Sequence, residues 1–354
     1  LTEGFTWRDA GRVVVFRRGG VEGAVQVLRE QGVEEFELLS TERALGGAEQ
    51  LAAAASRVHQ VPPGQVPGLA AEVLDAVALP FDGGREGQPR PPDAGEEVRA
   101  RPVVALGGGR VIDVAKSVAS VSGARVAAIP TTLSGAPMTA IHRLPAGAEE
   151  RVQGMVRPSL IIADSETMTG QPEDEMRASA MNALAHGADT LYLPLSNPVS
   201  EITALRGAEL IAGALDQERE ARDRAGLALG SLLCGYAIDS AGIGLHHLVC
   251  QALVRVCGTP HAETNAAVLP HALAFLVERA PEPYERLAAA LGTDRKGLPR
   301  RVEELGQPRP LGQLGDGSKL DEAIEAMLKR SELAHVPGSP SRDDLTALVR
   351  SAWQ

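Results

Sequence analysis

The strongest constraint on the fold is a change of pattern along the chain. Up to about residue 165, short apolar runs alternate with amphipathic stretches; beyond Pro172 only helical patterns follow. The β-branched run Arg12–Phe16 leads into Gly19-Gly20 and an amphipathic segment, Val21–Gln31. Phe36–Leu39, Val103–Leu106, Val126–Ile129 and Leu160–Ala163 read as further strands, and Leu45–Ala55, Val66–Leu79 and Val111–Ser120 as helices among them. Strands separated by helices pair most simply in parallel, because each crossover returns the chain to the same end of the sheet. This predicts an α/β N-terminal domain, residues 1–165, with a parallel, Rossmann-like sheet. Glu173–Leu193, Ser200–Leu215, Ala221–Ala237, Gly242–Val256, Thr264–Glu278, Tyr284–Leu291, Leu320–Lys329 and Arg342–Trp353 predict an all-α C-terminal domain, residues 166–354. The boundary falls near Asp164–Pro172. Within the first domain, Asp82–Arg99 is rich in Gly and Pro and almost devoid of apolar residues. It lacks the means to bury a core, so residues 82–99 are expected to be a mobile excursion.

The charge balance narrows the partners. With 35 basic and 46 acidic side chains the net charge is −11, which argues against nucleic acid or an anionic membrane. A local basic pocket for a small acidic substrate is compatible with it. Aromatics make up only 3% of the chain, so the core must come from Ala, Val, Leu and Ile. Cys234, Cys250 and Cys257 are too few, and wrongly spaced, for a disulfide framework or a CxxC site; they read as small buried hydrophobes. No apolar run approaches the roughly 20 residues that span a bilayer. The opening Leu1-Thr2-Glu3-Gly4 has no signal-peptide character, which makes the cytoplasm the expected location. Heavy use of Ala, Gly and Arg fits a GC-rich bacterial genome.

Chemistry first shows in Leu106-Gly107-Gly108-Gly109-Arg110-Val111, where a strand ends and a helix opens. Glycines permit a tight turn and close approach of a ligand, and the N–H groups at the helix start attract an anion. A phosphate cradle and an ordinary strand-to-helix turn are both consistent with this segment alone. Pro130-Thr131-Thr132-Leu133-Ser134-Gly135 follows the next strand and adds hydroxyls where strand ends gather, favouring a nucleotide site.

Gly107, Gly108, Gly109, Asp113 and Lys116, followed by Pro130, Thr131 and Thr132, resemble the signature of the iron-containing alcohol dehydrogenase superfamily, whose architecture is dehydroquinate synthase-like. Met181-Asn182-Ala183-Leu184-Ala185-His186, Gly244-Leu245-His246-His247, Pro260-His261-Ala262-Glu263-Thr264 and Leu269-Pro270-His271-Ala272 are most similar to the maleylacetate reductases within it. The resemblance implies a nucleotide-binding domain holding NAD or NADP, with its pyrophosphate on Gly107–Gly109. It implies a helical catalytic domain, a small acidic substrate such as maleylacetate, and a homodimer. Asp113, Lys116, Pro130, Thr131 and Thr132 are carried over as cofactor-binding positions.

The resemblance also places a divalent metal in some members, held by an Asp, a His four residues later and two further His. Here those positions read Asn182, His186, Gln251 and His261. Two neutral amides among four ligands suit neither Zn²⁺ nor Fe²⁺, so no tightly bound metal is expected. Asp189, three residues past His186, is expected to face outward or cap a helix. Acid–base work then falls to histidines, and His186, His246, His247 and His261 are the catalytic candidates. His246 and His247 diverge by about 100° on a helix, which leaves open which one serves the site. His271 reads as a packing or capping residue, and His142, beside the Thr-rich loop, is ambiguous.

Three departures from the pattern matter. Arg110 stands where Ser is usual, and could bind a 2′-phosphate, fill the cofactor site or face solvent. Gly135-Ala136-Pro137 replaces a run that normally ends Gly-Ser-Glu. Gln251 replaces a His. The leading expectation is a metal-independent NAD(P)H-dependent reductase of maleylacetate or a similar small unsaturated or oxo acid. The alternative is a repurposed relative with a non-redox biosynthetic step, or a cofactor-free binding protein.

Overall fold

The computed structural model describes residues 5–9, 11–77 and 100–354. The segment expected to be an excursion, 82–99, lies outside the described residues. Two compact units emerge. One holds the chain up to Thr131 and Thr139–Asp164; the other holds Thr132–Met138 and Ser165–Gln354. The partition therefore differs from a single cut after residue 165, because the loop that follows Thr131 belongs to the helical unit.

The first unit is a seven-stranded sheet: β1 Phe5–Asp9, β2 Arg12–Phe16, β3 Glu37–Ser40, β4 Arg57–Gln60, β5 Val103–Gly107, β6 Val126–Pro130 and β7 Leu160–Ala163. Its order is β1-β2-β7-β6-β5-β3-β4. Only the β1–β2 pair is antiparallel; every other pair is parallel. The strands β2, β3, β5, β6 and β7 are buried throughout; β5, β6 and β7 are apolar along their length, as strands covered on both faces require, while β2 and β3 also bury Arg12, Glu37 and Ser40. Helices α1 Ala24–Glu30, α2 Glu42–Leu45, α3 Glu49–Ala54, α4 Val66–Val77 and α5 Gly109–Ser122 connect them. The helix expected over Leu45–Ala55 is found as α3, Glu49–Ala54; it starts only after Gly46-Gly47, where backbone entropy disfavours helix, and the short α2 precedes those glycines. Strand β4 was not foreseen: its sequence, RVHQ, is mostly exposed and carries no apolar pattern.

The winding reverses between β3 and β5. From β3 the chain moves outward to β4, then returns to place β5 on the other side of β3 and continues to β6 and β7. In open α/β sheets such a switch point leaves a crevice at the strand C-terminal ends. Ser40 closes β3 and Gly107 closes β5 at that edge.

The second unit contains α6 Ser165–Met168, α7 Glu173–Thr190, α8 Pro198–Leu215, α9 Arg224–Ala241, α10 Leu245–Val256, α11 His261–Leu276, α12 Pro281–Ala290, α13 Leu298–Gly306, α14 Leu320–Leu328 and α15 Arg342–Trp353. Among the described residues it has no strand. Helices α8 and α9 pack closely because Gly207 and Gly230 face each other: a Cβ on either would lie 2.8 Å from the other's carbonyl oxygen. All three cysteines are buried and free, and burial pushes the Cys234 thiol up to about 12, so they serve as small apolar groups. No single helix among the described residues is long and apolar enough to cross a membrane.

Candidate active site

The glycine turn is built by β5, α5 and β6. Gly107 pairs with Pro130 across the β5–β6 ladder, and the Thr131 N–H donates to the Gly107 carbonyl at 3.0 Å. The two loops thus start side by side. A Cβ on Gly107 would come within 2.6 Å of Val111 Cγ2, in the first turn of α5, so only glycine allows the helix to start this close to the strand. Gly108 is the N-cap and supplies no side-chain acceptor to the first turn of this 14-residue helix. A helix start without a side-chain cap, after a glycine turn at a switch point, fits a pyrophosphate. Arg110 is exposed there.

The other predicted cofactor contacts divide. The Lys116 ammonium is fully buried, 2.7 Å from Asp113 Oδ1, and donates to the carbonyls of Thr139 and Ile141 at 3.2 and 2.8 Å. In these contacts it fastens the segment after the Thr loop to α5. Thr131 is half-buried in the sheet unit and Thr132 begins the loop that joins the helical unit. Ser40 Oγ donates to the Leu106 carbonyl at 2.8 Å, and Thr41 caps α2. His142 is buried between the Arg143 carbonyl and the Val156 N–H; burial lowers its pKa.

In the helical unit, α7, α10 and α11 bring together the histidines. The Gly244-Leu245-His246-His247 motif has a local reason. The first N–H groups of α10 point at Tyr192 and Asp189: Leu245 N donates to Tyr192 Oη, and the N–H groups of His246 and His247 each reach an Asp189 oxygen at 3.3 Å. A Cβ on Gly244 would lie 2.3 Å from Tyr192 Oη and 2.5 Å from Asp189 Cγ, so the approach requires glycine. Asp189 is 1% exposed. Of the two expectations, facing outward or capping, the structure shows the second: it caps α10 from a neighbouring helix, using a carboxylate to offset the positive helix start.

Asp189 also accepts from His247 Nδ1 at 2.8 Å. A carboxylate only accepts, so His247 Nδ1 carries the hydrogen and Nε2 carries the lone pair of the neutral ring. His247 Nε2 is buried and has no hydrogen-bond partner. Its ring stacks on His186, centroids 4.5 Å apart at 9°. Burial works to raise the Asp189 pKa, but the hydrogen bond from His247 and the two nearby imidazoles outweigh it and leave the carboxyl below its ordinary value.

His246 differs in kind. Its Nε2 donates to the Asn265 carbonyl at 3.0 Å, and burial, followed by the neighbouring His247, depresses its pKa to about 3. It is a neutral internal brace between α10 and α11. His186 is half-buried and lies against Gly135, where a Cβ would meet its Cε1 at 2.6 Å; this explains glycine in the loop from Thr132. His261 is the exposed first residue of α11, and His271 is half-buried, its pKa lowered by burial.

The metal expectation can be tested on the donor set. Asn182 is buried with an unpartnered Oδ1. Gln251 Oε1 accepts from Arg330 Nη1 at 3.1 Å. A neutral amide and a second amide already bound to a cation do not fit Zn²⁺ or Fe²⁺ beside His186 and His261. Among the described residues, one group of His, Cys, Asp or Glu side chains converges enough to ligate an ion: Asp189, His246 and His247. In this group the Asp189 carboxylate takes four donors, from His247 Nδ1, two backbone N–H groups and Tyr192 Oη, while His247 Nε2 has no partner.

Asp189 and Arg330 are the functional candidates that sequence reasoning missed or misplaced. Asp189 was visible as the residue one turn beyond His186. Its partners lie 57 and 58 residues away, and Arg330 lies 79 residues from Gln251, so neither contact has a local signature.

Comparison with known proteins gives the family. The family profile "Fe-containing alcohol dehydrogenase family, C-terminal" matches residues 176–353, and "Iron-containing alcohol dehydrogenase" matches residues 88–172. The maleylacetate reductase of Rhizobium sp. (strain MTP-10005) is 30% identical over 359 residues, covering 99% of this chain and 98% of the relative. That of Burkholderia cepacia is 34% identical over 223 residues, covering 58% of this chain and 63% of the relative. The crystal structure of maleylacetate reductase from Rhizobium sp. strain MTP-10005 superposes with a TM-score of 0.77 at 27% identity, covering 100% and 99% of the two chains. That from Agrobacterium tumefaciens gives 0.78 at 28% identity, with the same coverage. The chain belongs to the iron-containing alcohol dehydrogenase family and is an oxidoreductase.

Proposed function

We propose that this chain is a metal-independent, NAD(P)H-dependent reductase of maleylacetate or a similar small unsaturated or oxo acid. The observation that carries the reading is the Asp189–His247 pair with its unpartnered Nε2. Reduction adds a hydride and a proton to the substrate; when bound, NAD(P)H supplies the hydride. The proton requires a side chain that can carry one at a fixed position. His247 meets this: Asp189 fixes its ring through Nδ1 and stabilises the charged imidazolium, leaving Nε2 to hand its proton to the atom that gains negative charge. His186, stacked on the same ring, limits its tilt.

Gly107–Gly109 and the start of α5 would hold the pyrophosphate of the cofactor. No metal polarises the substrate in this reading, so hydrogen-bond donors must do so. The experiment is a calorimetric titration with NADH and then NADPH, followed by a maleylacetate assay. Saturable binding of either and turnover are expected. A folded protein that binds neither would overturn the reading and leave a non-redox role.

A further inference from the structure

The four positions that hold the metal elsewhere in the family have a feature of their own in this chain. Gln251 lies one helical turn beyond His247 on α10, so the two residues share a face. Its Oε1 faces Arg330 Nη1 at 3.1 Å. A guanidinium only donates, so the amide has one permitted orientation: oxygen toward Arg330, N–H₂ away from it. Arg330 is fixed in turn. Its Nε and Nη2 grip the two carboxylate oxygens of Glu332, at 3.1 and 2.5 Å, leaving Nη1 for Gln251. The planar fork makes this a rigid arrangement that lysine would not reproduce. Glu332 balances the charge of Arg330, so exclusion of a cation rests on the direction in which Gln251 Oε1 is held, toward Arg330, rather than on net repulsion.

We propose that Arg330 converts the third metal-ligand position into a hydrogen-bond donor, holding Gln251 so that it offers N–H to an anionic oxygen of the substrate and no lone pair to a cation. The inference rests on the reductase reading for its substrate and on the contacts alone for its cation exclusion. It supplies a donor that a metal-free site needs, and makes Arg330 a positioning residue.

The test has two arms on the full chain. In the first, chelator-stripped protein is titrated with Co²⁺, read by visible absorption and by metal content after desalting. Wild type is expected to take up none. In an Asn182→Asp background, Arg330→Met with Gln251 retained is expected to bind cobalt about tenfold or more tightly than Asn182→Asp alone, the loss of one charge-assisted contact to the amide oxygen. Equal affinity of those two variants, or stoichiometric cobalt in wild type that Gln251→Ala abolishes, overturns the proposal. The second arm needs only one substitution, should the multiple variants fail to fold. Gln251→Glu, which replaces N–H by a carboxylate oxygen, is expected to raise KM for maleylacetate about tenfold while leaving the NADH dissociation constant unchanged. An unchanged KM overturns the donor role. Failure to bind NADH or NADPH would sink the reductase reading and leave the cobalt arm intact, so the two failures are distinguishable.

Discussion

The glycine turn and the histidine cluster, the two regions proposed to hold the reactants, depart from the family pattern in different ways. At Gly107–Gly109 the binding groups belong to the backbone. Arg110 departs from the family's usual residue, while the close approach of helix and strand depends on the absence of a Cβ at Gly107. On α7, α10 and α11 the side chains are the site. Asn for Asp at 182 and Gln for His at 251 each change what can be bound. A backbone site keeps its chemistry through side-chain change, whereas a coordination site does not.

The largest expected effect separates the two regions directly. His247→Ala should lower kcat by about 10²- to 10⁴-fold, the range for loss of a general acid, with the NADH dissociation constant unchanged. Steady-state kinetics beside a binding titration will show whether the two regions are separable. A parallel loss of NADH affinity would merge them.

Next comes a change to the backbone site. Gly107→Ala places a methyl 2.6 Å from Val111 Cγ2 and should destabilise the protein by about 1–3 kcal/mol in urea unfolding. Cofactor affinity should fall as α5 is pushed from the strand. Unchanged stability and affinity would show that the turn tolerates a side chain.

Neighbouring histidines sharpen the comparison within the cluster. His246 has a folded pKa of about 3, below its ordinary value. The unfolded chain therefore binds a proton that the folded chain refuses. The resulting stability is fully present above pH 6.5 and is lost as pH falls from there toward 3, by ~1.4 kcal/mol per pH unit at most. Unfolding free energies across that window should show the slope, and His246→Gln should reduce it. A slope that survives the substitution would assign it to other groups. The smallest effect lies far from both regions: Arg300→Ala removes an exposed i,i+4 pair with Glu304 and should cost no more than about 0.5 kcal/mol.

The sequence made some of this legible and hid the rest for physical reasons. The strands β2, β3, β5, β6 and β7 were readable from short apolar runs, which buried parallel strands favour. Strand β4 was not, because Arg57–Gln60 joins the sheet through backbone pairing with β3 and buries little. Helix α13 was missed because its nine residues, LPRRVEELG, are too short and polar to stand out. The roles of His246 and His247 could not be divided by sequence, since both are buried. Their difference arises from partners on other helices, Asn265 for one and Asp189 for the other. The amides at 182 and 251 were legible in the sequence, but the partner that fixes Gln251 was not.

The central claim is that acid–base catalysis by His247 has replaced metal assistance. The most direct measurement is the rate of NAD(P)H oxidation with maleylacetate before and after exhaustive chelation. Equal rates are expected. Loss of activity on chelation, with recovery on adding Fe²⁺ or Zn²⁺, would contradict the account.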